Sequence, residues 1–292
     1  MKIAVVGLGY VGLPFACAIA KKNKYQLLAF DINIEKLNQI KEKDCPIDDL
    51  QCQKDLDQID LALTSDISDL AGSDMFFVCV PTPIHSDHSP DLSYIEKAVI
   101  SVCKVVSKDA IIVIESTINP GVCDEIIIPL IAENTDFVVG EDIHIAHCPE
   151  RINPGDKKWN VYNIPRNIGA TDAESCKKVA DFYRDVLDAE INEMEDIKTC
   201  EATKIIENTF RDINIAYVNE LAKSFDVMGI DLSKVIKGAS NKPFAFMPHF
   251  PSCGVGGHCI PVDPYYLIDR AKKSGFNHSF LKLARKSCIN NQ

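Results

Sequence analysis

In the first half of the chain, short runs of branched and aromatic residues alternate with longer amphipathic stretches. Lys2 to Val6 reads as a buried strand and residues 27–30 as a second. Met75 to Val80, Ala110 to Ile114 and Asp142 to Ala146 read as further strands. An apolar helix runs through Ala20, and amphipathic segments lie near 92–106 and 122–132. Strand and helix in alternation predict an α/β fold with a doubly wound parallel sheet.

The pattern changes after a strand at Glu190 to Met194. From Ile197 to about Met228 the chain has no Pro or Gly, and apolar residues fall at 202, 205, 206, 210, 213, 216, 217, 221, 222 and 225. That spacing predicts one long helix ended by Gly229. Its apolar stripe is broad enough to pack on more than one partner, so a homodimer through helix 197–228 is expected. Two domains follow: residues 1–195 carrying the sheet, and an all-α central domain over 196–292.

Between the first strand and the first helix stands Gly7-Leu8-Gly9-Tyr10-Val11-Gly12. Glycines at this spacing permit a tight turn and close approach of backbone to a pyrophosphate on the helix amino terminus, so the domain reads as Rossmann-like and dinucleotide-binding. The second strand ends at Asp31, 19 residues beyond Gly12. A carboxylate there accepts hydrogen bonds from the adenosine ribose and repels a 2′-phosphate, which favours NAD over NADP. The other reading of the motif is a strand-helix turn that binds nothing.

Net charge narrows the partners. At −11 over 292 residues the chain lacks the basic balance of a nucleic-acid coat or a binder of anionic membrane. No apolar run has the length of a membrane span, and Met1-Lys2-Ile3 leads into a strand without a cleavable signal, so a cytoplasmic location is expected. The twelve cysteines are scattered without a CxxC pair, as in a reduced compartment. His144, His147 and Cys148 lie on a strand-like run with no second ligand cluster, and no metal is expected.

Candidate chemistry collects at strand ends and in one loop. Val80-Pro81-Thr82-Pro83, Glu115-Ser116-Thr117 and Cys148-Pro149-Glu150-Arg151 each follow a buried strand, where ligands lie in open α/β sheets. Thr82 and Thr117 are either cofactor or water contacts or plain caps; Glu150 is either a general base or half of a surface ion pair. Lys204, Asn208 and Arg211 share one face of the long helix, which is either a polar edge or part of a site. The segment Lys242 to Pro264 contains Phe250 and then Gly256-Gly257-His258-Cys259-Ile260-Pro261. Such a loop suits wrapping a flat polar ligand and presenting a sulfur; the plainer reading of Cys259 is a buried structural thiol.

Together these residues resemble the nucleotide-sugar 6-dehydrogenases, the family of UDP-glucose and GDP-mannose dehydrogenases. The matching pieces are Gly7 to Pro14, Val80 to Pro83, Glu115 to Thr117, the Lys204/Asn208 helix and Gly256 to Asp263, in family order through nearly the whole chain. The resemblance implies two successive NAD-dependent oxidations at C6 of a UDP-sugar, with Cys259 as nucleophile through a thiohemiacetal and a thioester. It implies that Lys204 and Asn208 stabilise the developing oxyanion, that Asp263 assists water or proton transfer, and that Thr117 and Glu150 attend the water and general base. Cofactor contacts are implied for Gly7, Gly9, Tyr10, Val11, Gly12, Asp31, Lys36, Pro81, Thr82 and Thr117. Substrate contacts are implied for Glu150, Arg151, Lys204, Asn208, Arg211, Phe250 and Gly256.

Arg151-Ile152-Asn153-Pro154-Gly155, Glu207 to Ala216 and the histidine before Cys259 are similar to the branch acting on UDP-N-acetylhexosamines of the ManNAc, GlcNAc or GalNAc type. Family members carry a further domain that grips the UDP, and this sequence stops at Gln292, about where the linker to it should begin. The expectation is a chain without the C-terminal UDP-binding domain that binds NAD and oxidises UDP-sugar weakly or not at all, since remote binding energy drives chemistry at C6. Alternatives are a UDP-glucose 6-dehydrogenase, a hydride-only dehydrogenase of the 3-hydroxyacid or 6-phosphogluconate type, and a catalytically incomplete NAD-binding subunit.

Overall fold

The computed structural model describes residues 1–87, 89–152, 158–256 and 260–289. Cys259, with Gly257 and His258, lies outside the described residues, as does the 153–155 part of the Glu150 loop. The chain divides into two units, residues 1–83 with 91–202 and residues 84–90 with 203–292.

The first unit is built from β1 (Lys2–Val6), α1 (Gly12–Lys22), β2 (Gln26–Phe30), α2 (Ile34–Lys41), α3 (Leu50–Leu56), β3 (Leu63–Thr64) and β4 (Met75–Val78), then α4 (Ser93–Cys103), β5 (Ile111–Ile114), α5 (Ile128–Asn134), β6 (His144–His147), β7 (Arg166–Ala170), α6 (Ala173–Val186) and β8 (Ile191–Glu193). The sheet order is β3-β2-β1-β4-β5-β6-β7-β8. The chain winds outward from β1 to β3, returns to β4 on the other side of β1, and winds the opposite way. The switch point therefore falls between β1 and β4, where open sheets of this kind bind ligands. β1 to β6 run parallel, as the alternation predicts. The sheet is not parallel throughout: β7 is antiparallel to β6, and β8 is parallel to β7.

Each strand sends alternate side chains to two cores. Ile3 and Val5 of β1 join Phe15, Phe77, Val113, Phe182 and Tyr183 on one face; Ala4 and Val6 join Phe76, Val99, Ile112 and Ile114 on the other. Burial on both faces is why these strands read as continuous apolar runs. Phe77 has Phe15 at 5.0 Å, Phe182 at 5.1 Å and Tyr183 at 5.8 Å between ring centroids. Truncating a ring so placed costs about 3–5 kcal/mol, so this cluster fixes α1 and α6 against the sheet.

Helix α7 (Ile197–Val227) matches the long helix expected from the spacing. Asp196 starts it, accepting from the Thr199 amide and hydroxyl at 2.7 Å each. At its other end the Gly229 amide donates to Asp226 and the Ile230 amide to Phe225, with Gly229 at φ +69°. That is a Schellman ending, which only a residue free of a Cβ adopts without strain. The second unit holds most of α7 with α8 (Leu232–Ala239), α9 (Asp263–Lys273) and α10 (Ser279–Ile289).

Candidate active site

The glycine turn after β1 is shaped for contact with backbone. A Cβ on Gly7, at φ +95°, would lie 2.9 Å from the Cys79 carbonyl oxygen, and one on Gly12 would lie 1.9 Å from the Gly7 carbonyl oxygen. Gly9 differs: a Cβ there meets no protein atom within 4 Å. Two glycines thus close the turn on the protein, and the third keeps the outer surface of the turn low. Asn33, Asp49, Asp172 and Asp231 cap α2, α3, α6 and α8. Among the described residues no side chain caps α1, and its first turn holds no acidic residue. Its amino-terminal dipole and the low glycine surface fit the pyrophosphate of a dinucleotide. Val11 sits at the cap position, and Tyr10 beside it is exposed.

Asp31, buried at the end of β2, completes that cradle. Its Oδ1 accepts from the Asn33 amide at 2.9 Å, and its Oδ2 accepts from the Leu8 amide at 2.8 Å and from Lys36 Nζ at 2.6 Å. A carboxylate has about four acceptor sites, so one remains for a ribose hydroxyl. Lys36 is thereby held beside the position expected for the adenosine ribose.

The ends of β4 and β5 are stitched together. The Thr82 hydroxyl donates to the Thr117 carbonyl at 2.7 Å, and the Ser116 hydroxyl donates to the Val80 carbonyl at 2.7 Å. Pro81, with no amide to donate, lies between those two links.

Glu150 is an ion-paired residue, and the pair is buried. Its Oε2 lies 2.6 Å from Arg166 Nη2; its Oε1 accepts from the amides of Arg151 at 2.6 Å and Ile152 at 2.7 Å. Arg166 Nη1 also reaches Glu115 Oε2 at 3.5 Å, and the Tyr183 hydroxyl donates to Glu115. Burial pushes the Glu115 carboxyl up to about 7, against the pull of Arg166 and with the push of Glu150. The guanidinium lies 5.7 Å from the Tyr183 ring and 6.0 Å from Phe15. On β6, His144 pairs with Asp172 at 2.7 Å, and burial pushes the His147 imidazole down to about 3, so it stays neutral.

In the second unit Lys204, Asn208 and Asp263 converge. Asn208 Nδ2 donates to Asp263 Oδ2 at 2.5 Å, and all three side chains are at least partly buried. Burial raises the Asp263 carboxyl to about 6, opposed by the Lys204 charge and the Asn208 hydrogen bond. A carboxyl tuned there exchanges protons near neutral pH. Asp263 opens α9 four residues after Cys259, and the loop before it is pinned to α7 where the Ser252 amide donates to Asn219 Oδ1 at 2.8 Å. Arg211, Phe250 and Gly256 are exposed. In the first unit, Arg151 donates from Nη1 to the Pro165 carbonyl at 2.9 Å.

Arg166 and Tyr183 were not among the residues expected from the sequence, and Glu115 had no role of its own there. Arg166-Asn167-Ile168-Gly169-Ala170 opens on a charge and has no strand pattern of its own, although its first four residues are buried.

Two family models match the chain: "UDP-glucose/GDP-mannose dehydrogenase family, NAD binding domain" over residues 1–187 and "UDP-glucose/GDP-mannose dehydrogenase family, central domain" over residues 198–291. UDP-N-acetyl-D-glucosamine 6-dehydrogenase of Pseudomonas aeruginosa is 39% identical over 286 residues, 98% of this chain and 67% of that protein. The structure of UDP-D-ManNAc dehydrogenase from Pyrococcus horikoshii superposes at TM-score 0.93 with 34% identity, covering 100% of this chain and 69% of that one. The UDP-N-acetyl-mannosamine dehydrogenase Cap5O of Staphylococcus aureus gives TM-score 0.85 and 33% identity, covering 100% and 68%. The chain thus spans about two thirds of the length of these relatives. Among the described residues no helix is long and apolar enough to cross a membrane.

Proposed function

The chain belongs to the UDP-glucose/GDP-mannose dehydrogenase family and carries its NAD-binding and central domains, and from that premise we propose that it oxidises the C6 alcohol of a UDP-N-acetylhexosamine to the uronic acid. The observation that carries this reading is the Lys204, Asn208 and Asp263 cluster, which brings α7 to the start of α9, four residues after Cys259 in the sequence. Two NAD molecules, bound in turn, would each accept one hydride.

In this reading the substrate alcohol loses a proton and a hydride to become the aldehyde. The Cys259 thiolate adds to the aldehyde carbon, and the oxygen that gains negative charge faces the Lys204 ammonium and the Asn208 amide. A second hydride leaves the tetrahedral carbon and a thioester remains. Water adds to it, the step in which the family resemblance gives Thr117 and Glu150 their part, and expulsion of the sulfur gives the carboxylate. Asp263, with its carboxyl raised to about 6, relays the protons of these steps. Lys204 also lowers the cost of keeping Cys259 ionised. The N-acetylhexosamine class is favoured over glucose by the names of the relatives.

The expected result is two NADH formed for each UDP-uronate when UDP-GlcNAc, UDP-ManNAc and UDP-GalNAc are supplied in turn, followed by absorbance and by mass spectrometry of the product. One NADH per sugar, with aldehyde as the product, would place the protein among hydride-only dehydrogenases.

Ile206, Phe210 and Tyr217 are exposed at helical spacing on α7, which supports a homodimer through that helix. Light scattering at micromolar concentration is expected to give twice the monomer's 32.4 kDa; a monomer there removes the dimer from the reading.

A further inference from the structure

We propose that Arg166 is a positioning residue that holds the Glu150 carboxylate, and with it the turn 150–152, against the strand end bearing Glu115, Ser116 and Thr117. The inference rests on the reading above, in which Thr117 and Glu150 attend the water that hydrolyses the thioester.

Four features define the device. Arg166 opens β7, the strand that reverses direction beside β6, so its side chain is delivered from the start of an antiparallel strand to the carboxyl ends of β5 and β6. It is fully buried, 2.6 Å from Glu150 Oε2 and 3.5 Å from Glu115 Oε2. The second oxygen of Glu150 accepts the amides of Arg151 and Ile152, so whatever orients the carboxylate also shapes the turn. Arg151 returns to the carbonyl of Pro165, next to Arg166, so the turn is tied to the start of β7 at two points.

Charge explains why a guanidinium is needed. A buried ion pair is seldom more stable than an apolar replacement, so packing alone gives no reason for one cation between two carboxylates. The planar fork reaches both acids at once, which a lysine ammonium does not do in the same geometry. Stacking near Tyr183 and Phe15 restricts the guanidinium, and the Tyr183 hydroxyl holds the far side of Glu115. Glu150 is thus held at both oxygens, Oε1 by the two amides of its own turn and Oε2 by the charge of Arg166.

Hydrogen exchange and intact-protein mass test this. In Arg166→Lys the amides of Arg151 and Ile152 are expected to exchange at least about tenfold faster while those of β4 and β5 keep their protection. Incubated with NAD and a UDP-N-acetylhexosamine, the variant should accumulate an acyl adduct on Cys259, because hydrolysis slows while hydride transfer proceeds. Glu150→Gln, which keeps the volume and removes the paired charge, should give the same faster exchange and stands in if the lysine variant does not fold. Unchanged exchange at Arg151 and Ile152 in a folded variant would overturn the proposal. Absence of turnover and adduct in the unmodified protein would instead count against the dehydrogenase reading, and the exchange measurement would still decide the role of Arg166.

Discussion

Cys259→Ser is expected to stop formation of the acid, lowering the rate of uronate production by at least about a thousandfold, roughly 4 kcal/mol of transition-state free energy. The reason is chemical. A thiol is partly ionised at neutral pH and strongly nucleophilic. A serine hydroxyl in the same place needs a dedicated base to attack an aldehyde, and Asp263, already bonded to Asn208, is a weak one. NAD affinity should be unchanged, because the glycine turn and Asp31 belong to the first unit. Product analysis by mass spectrometry beside NADH absorbance makes the measurement. Near-normal dehydrogenation by the serine variant would identify a hydride-only enzyme and remove the covalent pathway.

The parts of the fold that were legible in the sequence are those fixed by period. β1, β2, β4 and β5 send apolar side chains to both faces, β6 has Ile145 and Ala146 between two histidines, and α7 is a long unbroken helical repeat with a glycine at its end; each carries its signal within its own residues. β7 does not. It follows Pro165 and begins with Arg166 and Asn167, so it has the composition of a loop, and only the surrounding carboxylates make a buried arginine tolerable. The site divides the same way. The glycine turn and Asp31 lie within one strand-helix-strand unit and have a local spacing rule. Asn208 and Asp263 are 55 residues apart, and Glu150 meets Arg166 across a loop, so neither pair has a period that announces it. Glu150 read alone allowed a surface ion pair, and the partner is indeed a cation, but one sealed inside the sheet. For Asp263 the family resemblance supplied the position, and burial raises its carboxyl to about 6.

The glycines of the cradle separate folding from binding, and two alanine variants should show it. Gly12→Ala places a methyl 1.9 Å from the Gly7 carbonyl oxygen, far inside van der Waals contact and against backbone, which has no rotamer to move. Overpacking of this kind costs about 1–3 kcal/mol even after relaxation, and relief here requires opening the turn itself. Gly12→Ala should therefore lower the melting temperature and weaken NAD binding by at least about a hundredfold, near 2.7 kcal/mol. Gly9→Ala should behave differently. Its methyl meets no protein atom within 4 Å, so the melting temperature should stay close to that of the unmodified protein. The methyl nevertheless raises the surface on which the pyrophosphate approaches the amino terminus of α1, and calorimetric titration should show NAD affinity reduced by about tenfold or more. If Gly9→Ala binds NAD as the unmodified protein does, the pyrophosphate does not pass over Gly9, and the uncapped helix end would have to be explained by something other than the cofactor.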